Sequence, residues 1–293
     1  MTTPIDSSTT AVGFIGLGQI GRPMAARLAG WPAGLWVHDV DASATEALEQ
    51  AGAKVAASPR EVAERAGHVS VMVRDDAQVR DVLTGDDGVL AGVRPGAVIA
   101  VHSTIHPDTA REVARLAAAH NARVLDAPVS GGAVGAQQGR LAILVGGDAD
   151  AYEASREVLE RMGELVVHFG PVGAGTEAKL ARNLMHFVAF TAATEASRLA
   201  EAAGVDLVAL GKVVRHTDAI TGGPGAIMWR DTTGPVAADD SWFAILDHVR
   251  QLGEKDLALA AELGDRLGVD TPLADLALPR LAPGLGITGP EKP

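Results

Sequence analysis

The stretch Val12-Gly13-Phe14-Ile15-Gly16-Leu17-Gly18-Gln19-Ile20-Gly21-Arg22-Pro23-Met24 decides how the rest of the chain is read. Val12 to Ile15 is a short apolar run that predicts a buried strand, and the Ala-rich run Met24 to Ala29 predicts a helix. Gly16, Gly18 and Gly21 then sit where a chain must turn sharply and let a pyrophosphate approach the backbone at a helix N-terminus. Glycine turns join many strand–helix pairs, so the flanking strand and helix carry as much weight as the glycines. A second apolar run, Leu35 to His38, ends in Asp39, where a carboxylate would reach an adenosine ribose.

Outward from this segment the same alternation continues. Short β-like runs fall at Val69–Val73, Ala97–Val101 and Arg123–Leu125, separated by helical stretches such as Ser43–Ala51, Pro59–Ala66 and Pro107–His120. The pattern predicts an α/β fold, a doubly wound Rossmann-type parallel sheet, with Leu141–Val145 and Leu165–Phe169 as added edge strands. After Gly170 the texture changes. A loop over residues 171–175 leads to Thr176, which can cap a breaker-free helix running to about Ala203 and spanning roughly 40 Å. Asp206–Val214, Leu246–Leu267 and Pro272–Leu278 read as further helices. The expected organisation is a disordered tail over residues 1–10, a dinucleotide-binding domain over 11–170, and an all-helical substrate and dimerisation domain over 171–281. That second domain is built on the long interdomain helix, and a loose Pro/Gly-rich end follows over 282–293. The segment Thr221–Trp242, rich in turn residues, reads either as a cover for a cleft or as a surface loop.

Composition narrows the function classes. A hydrophobic share of 47% over 293 residues supports one large core or two modest ones, and rules against a disordered chain. The net charge of −12 argues against nucleic acid or an anionic membrane as the main partner. It also requires any phosphate to be held by local amides rather than by a general positive field. With no cysteine, disulfides, thiolate metal sites and a cysteine nucleophile are excluded. No metal site is expected. The polar stretch Met1 to Thr10 lacks a signal-peptide core, and Leu184–Ala193 is too short to span a bilayer, so a soluble cytoplasmic protein is expected.

Within the long helix, Lys179 and Asn183 are four residues apart and share a face, with His186 close to it. Apolar neighbours would desolvate the lysine and lower its pKa, as proton transfer near neutrality requires. Taken alone, the helix fits better a lysine whose stem packs while its head stays in water, and His186 better a core residue. Asp126-Ala127-Pro128-Val129-Ser130-Gly131-Gly132 follows a predicted strand, at the sheet edge where such folds bind ligands. Ser130, Gly131 and Gly132 offer a hydroxyl and amides to a carboxylate, or form a plain turn. The hydroxyls of Ser103 and Thr104 can meet a ribose or a nicotinamide amide, or cap the helix near Pro107. Lys255-Asp256 reads in isolation as a solvated charge pair.

Together these segments, with Gly173-Ala174-Gly175-Thr176-Glu177-Ala178-Lys179 and Lys255-Asp256-Leu257, resemble the β-hydroxyacid dehydrogenase family, the 3-hydroxyisobutyrate dehydrogenase and tartronate semialdehyde reductase-like enzymes, from Val12 to about Pro272. The resemblance implies reversible NAD-dependent hydride transfer between a small β-hydroxy acid and its semialdehyde. It implies that Lys179 is the catalytic lysine, that Asn183 helps hold substrate, and that Ser130, Gly131 and Gly132 grip its carboxylate. Cofactor contacts are implied for Gly16, Leu17, Gly18, Gln19, Ile20, Gly21, Asp39, Val73, Thr104 and Lys255. A homodimer or homotetramer is expected, as such relatives form. Two departures stand out: Met72-Val73-Arg74 replaces the frequent Met-Leu-Pro and adds a cation near the cofactor, and Arg182 replaces the first of two asparagines. Asp39 and Asp41 would repel a 2′-phosphate, so NAD is expected over NADP. An imine reductase of related fold, or a cofactor-binding scaffold without turnover, are the alternatives. The retained Lys179 and the Ser-Gly-Gly segment argue for a carboxylate-bearing alcohol or aldehyde. Trp229, Arg230, Trp242 and Phe243 are candidate pocket walls or packing residues.

Overall fold

The computed structural model describes residues 6–228, 230 and 232–287, and the chain parts into two compact units between Asn183 and Leu184. In the first unit, apolar runs form nine strands among the described residues: β1 Val12–Ile15, β2 Leu35–His38, β3 Lys54–Val55, β4 His68–Val71, β5 Val98–Val101, β6 Arg123–Asp126, β7 Val129–Ser130, β8 Leu141–Gly146 and β9 Gly163–Gly170. Parallel pairing runs in the order β3-β2-β1-β4-β5-β6, the doubly wound arrangement that reverses direction at β1. β8 is antiparallel to β6 and β7 and parallel to β9.

The central strands are buried on both faces, which explains their near-continuous apolar sequence. One core cluster, with Phe14, Met24, Leu28, Leu125 and Leu159, covers one face, and another, with Val62, Val79, Ile99 and Val113, covers the other. Capping sets the helix starts: Ser58 before Pro59–Arg65, Asp75 before Asp76–Thr84 and Asp148 before Ala149–Met162 each accept from the third residue on.

Several expectations shift. The first helix starts at Gly21 rather than Met24 and ends at Ala26. β4 stops at Val71 because Met72 and Val73 leave the sheet to line a groove. Residues 6–10 are not a frayed tail: Ser7 accepts from the Ala33 amide (3.0 Å) and Thr10 from the Trp31 indole (2.9 Å). Residues 1–5 lie outside the described residues.

In the second unit, Leu207–Thr221, Phe243–Leu267 and Pro272–Ala277 are helices. Glu195 is buried and its carboxylate caps the last of these through the Leu273 (3.0 Å) and Ala274 (3.1 Å) amides. The C-terminal segment is ordered beyond residue 282: Leu281–Gly284 forms a helical turn, and Leu285 and Ile287 are buried with Leu246. Residues 288–293 lie outside the described residues. Phe243 packs on that cluster and Arg230 donates to the Leu285 carbonyl (3.2 Å), so both are packing residues in this unit. Trp242 is exposed, Trp229 lies outside the described residues, and Gly223–Ile227 forms a short 3-10 helix inside the expected loop. No helix among the described residues is long and apolar enough to cross a membrane.

A buried polar chain crosses the first unit's core. Ser155 and Ser70 flank the His68 ring at 3.2 Å each, Ser70 meets His102 Nε2 at 3.1 Å, and His102 Nδ1 meets the Ala127 carbonyl at 2.9 Å. A carbonyl only accepts, so His102 carries its proton on Nδ1, and the remaining donors then run in one direction back to the Ser155 hydroxyl. Burial, with the neighbouring His102 for His68, pushes His68 down to about 3, and burial pushes His102 down to about 4. Both rings stay neutral in the fold while the unfolded chain protonates near 6.5. Stability is therefore full above about pH 6.5 and falls as pH drops toward 4, at up to roughly 1.4 kcal/mol per pH unit for each ring. Denaturant midpoints measured across that range are expected to fall on this slope, and to fall about half as steeply in His68→Gln; a flat profile in the wild type would contradict it.

Candidate active site

The glycine turn after β1 is shaped partly by packing and partly by something outside the chain. Gly16 has φ +90°, and a Cβ there would collide with the Met72 carbonyl oxygen; one on Gly21 would collide with the Gly16 carbonyl oxygen. Gly18 differs: an added Cβ would meet nothing within 4 Å and its backbone needs no left-handed conformation. Its bare surface therefore faces open space, as expected where a ligand backbone comes close. No side chain caps the helix that follows. The Arg22 amide donates to the Gly18 carbonyl (3.1 Å) and Pro23 has no amide proton, so of the opening residues of that helix Gly21 keeps its amide for an acceptor from solution.

That open space is a groove of about 760 Å³, lined by Gly16, Gly18, Gln19, Ile20, Gly21, Asp39, Val73 and Thr104. Leu17 is an exception among the sequence expectations: its side chain is buried in the core, and its amide donates to Asp39 Oδ2 at 2.6 Å. Asp39 Oδ1 accepts from the Asp41 amide at 2.8 Å, so one carboxylate pins the turn and lines the groove together. Ser103 is not a cap. Its buried hydroxyl accepts from the Val73 amide (2.9 Å) and donates to the Val73 carbonyl (2.7 Å), tying the loop after β4 to that after β5. The helix Pro107–Ala118 is capped by His106 instead, which leaves Thr104 exposed at the groove. These features fit a dinucleotide: a bare glycine, an uncapped helix start, a carboxylate in the groove wall and a cleft of suitable volume.

A second cluster forms where the segment after β6 meets the long helix, Ala174–Ala202. Asp126 is fully buried and takes the Gly173 and Thr176 amides, both at 2.7 Å, anchoring the start of that helix. Burial raises its pKa, against the lowering effect of those amides. Gly175 and Gly146 permit the contact, since a Cβ on Gly146 would lie 2.6 Å from the Gly175 amide. One turn further on, Lys179 is 7% exposed and donates to the Val129 carbonyl at 2.7 Å, with Ser130 Oγ at 3.4 Å. Desolvation, then the nearby Arg182 cation, lower its pKa. Lys179, Ser130 and the Gly131-Gly132 corner (φ +131° and +65°) are thus one constellation. Asn183, four residues after Lys179, accepts from Arg182 Nη1 at 3.3 Å.

His186 and Lys255 belong to the second unit. His186 packs on Phe190 with ring centroids 4.3 Å apart, and Lys255 pairs with its neighbour Asp256 at 3.1 Å, both side chains exposed. Sequence reasoning missed the Val129 carbonyl, a backbone group with no residue signature, and the helix-anchoring role of Asp126. It also missed Gln78, Val82 and the carboxylates Asp81, Asp86 and Asp87, which line the groove.

A groove that fits a dinucleotide, on a doubly wound sheet that also meets a buried lysine after β6, points to an NAD(P)-dependent oxidoreductase. Residues 11–170 match the NAD binding domain of 6-phosphogluconate dehydrogenase, and residues 173–282 match the NAD-binding domain of NADP-dependent 3-hydroxyisobutyrate dehydrogenase. The chain is 51% identical to an uncharacterized oxidoreductase of Mycobacterium tuberculosis, over 97% of this chain and 96% of that one. It is 37% identical to the 3-hydroxyisobutyrate dehydrogenase of Pseudomonas aeruginosa, over 92% and 90%. A crystal structure of a putative oxidoreductase from Mycobacterium avium superposes with a TM-score of 0.91 at 48% identity, covering 95% of this chain and 99% of that one. The chain belongs to the β-hydroxyacid dehydrogenase family and is an NAD(P)-dependent dehydrogenase acting on a CH–OH group.

Gly18→Val is expected to leave the thermal midpoint within about 2 °C of wild type while weakening NADH binding at least about tenfold, because nothing in the fold contests the added side chain. Gly21→Ala is expected to lower the midpoint itself. Unchanged NADH affinity in Gly18→Val, read by fluorescence titration, would remove the groove assignment.

Proposed function

We propose that the protein oxidises a small β-hydroxy acid to its semialdehyde, and reduces it in reverse, using NAD in preference to NADP. The bound nicotinamide supplies or accepts the hydride. Lys179 exchanges the proton with the substrate's hydroxyl oxygen, accepting it as neutral amine during oxidation and returning it during reduction. Ser130 Oγ and the amides of Gly131 and Gly132 hold the substrate carboxylate, and Asn183 orients the carbinol. The observation that carries this reading is the buried Lys179 amine, set against the Val129 carbonyl and within reach of Ser130. An ammonium in water would be too weak an acid and too rarely deprotonated for the task; burial and Arg182 both move it toward neutrality.

The preference for NAD rests on Asp39. Its carboxylate lines the groove beside Asp81, Asp86 and Asp87, and a 2′-phosphate there would meet like charge in a partly desolvated cleft. The family model over residues 173–282 carries the name of an NADP-dependent enzyme, so the choice lies in this chain's own residues.

Lys179→Ala is expected to cut turnover of a β-hydroxy acid by about 10²–10⁴-fold with NADH affinity kept. In the same spectrophotometric panel of small hydroxy acids and semialdehydes, kcat/KM is expected to be at least about tenfold higher with NAD than with NADP. Near-full turnover in Lys179→Ala would discard the proton-transfer role, and equal efficiencies with both cofactors would discard the reading of Asp39.

A further inference from the structure

Arg74 is the only lysine or arginine among the groove-lining residues, which include four aspartates. Its backbone amide donates to Gln78 Oε1 at 3.0 Å, but no ion pair or hydrogen bond engages its guanidinium among the described residues. Asp39, the groove carboxylate nearest the glycine turn, is already occupied by the Leu17 and Asp41 amides. An exposed guanidinium with its donors free, in an otherwise acidic groove of an acidic protein, is a binding group awaiting an anion.

Topology says which anion. Arg74 follows β4 and Asp39 follows β2, and β1 lies between those strands. With neighbouring strands about 4.8 Å apart, the two loops leave the sheet about 10 Å apart, on opposite sides of the glycine turn. Met72, two residues before Arg74, is so close beneath that turn that a Cβ on Gly16 would strike its carbonyl oxygen. Arg74 therefore flanks the turn on the side away from the ribose-binding carboxylate. The following helix, Gly21–Ala26, has only six residues, so its peptide dipoles add little charge for a diphosphate.

We propose that Arg74 binds the pyrophosphate of the dinucleotide and supplies the positive charge that the rest of the groove lacks. The proposal rests on the dinucleotide reading of the groove. A 2′-phosphate, by the same topology, would lie on the Asp39 side and out of its service.

The test is calorimetric titration of the full-length protein with ADP-ribose, which carries the pyrophosphate but no nicotinamide. Arg74→Ala is expected to weaken ADP-ribose at least about tenfold, as loss of a charge-assisted contact does. Arg74→Lys is expected to restore part of the affinity, whereas Arg74→Gln, planar but neutral, is expected to bind as weakly as the alanine variant. The salt dependence of ADP-ribose affinity is expected to flatten in Arg74→Ala. Wild-type affinity in Arg74→Ala, or recovery in Arg74→Gln, would overturn the proposal while leaving the groove's dinucleotide role intact. Failure of the wild-type protein itself to bind ADP-ribose would instead overturn that underlying role, and this proposal with it.

Discussion

The contact on which the rest turns is that of the Lys179 amine with the Val129 carbonyl. It closes a clasp between the carboxyl end of the sheet and the first turns of the long helix. Three residues before Val129, Asp126 takes the Gly173 and Thr176 amides and fixes where that helix begins. Because Lys179 comes one turn after Thr176, fixing the start also fixes the direction of the amine. Two glycines, Gly146 and Gly175, let strand and helix approach closely enough for both tethers to form. The energetics are those of a group kept dry on purpose. A charged amine loses hydration there and is compensated by one carbonyl and a nearby hydroxyl, so its charged form is penalised.

The other half of the site solves the opposite electrostatic problem. A chain of net charge −12 must hold an anionic cofactor in a groove lined by four aspartates. Backbone amides at the glycine turn answer part of this, Gly21 opening a helix that no side chain caps, although the Arg22 amide is spent on the Gly18 carbonyl. Asp39 contributes twice, clamping the Leu17 amide to shape the turn and presenting the same carboxylate to the groove. The loops after β4 and β5 cannot drift apart, since Ser103 binds both the amide and the carbonyl of Val73. The His68–Ser70–His102 chain runs from β4 past the end of β5 and ends on the Ala127 carbonyl, inside the segment that carries Val129.

Much of this was legible because a few residue types have few places to be. The runs at Val12–Ile15 and Leu35–His38 became strands with those limits, since each is an apolar run closed by a turn residue. The order of strands followed from alternation with helices. The glycine turn, Asp39, Val73, Thr104 and the Ser130 segment follow β1, β2, β4, β5 and β6, as ligand-binding loops of such sheets do, whereas Lys179 and Asn183 stand on the long helix and Lys255 in the second unit. What was hidden had no side-chain signature. The Val129 carbonyl could be any residue's, and Asp126 reads as one more polar residue until its two partners arrive from nearly fifty positions away. The helix Gly132–Gln138 escaped because its two glycines and the β-branched Val134 offset the helix preference of its two alanines, so that packing on β8 and on the helix Gly21–Ala26 holds it. Leu17 was misassigned to the groove because the motif gives its position, whereas burial decides where its side chain goes.

Direct titration of the Lys179 amine bears most immediately on the central claim. Heteronuclear NMR of protein carrying ¹³Cε-labelled lysine, with the signal assigned by its loss in Lys179→Arg, follows that one group through alkaline pH. The expected result is a midpoint clearly below the ordinary lysine value of about 10.4, moving up toward that value when Asp126→Asn loosens the helix start. A Lys179 signal that titrates at or above the ordinary value in the wild-type protein would show the amine to be solvated, and the site would lose its proton-transferring group.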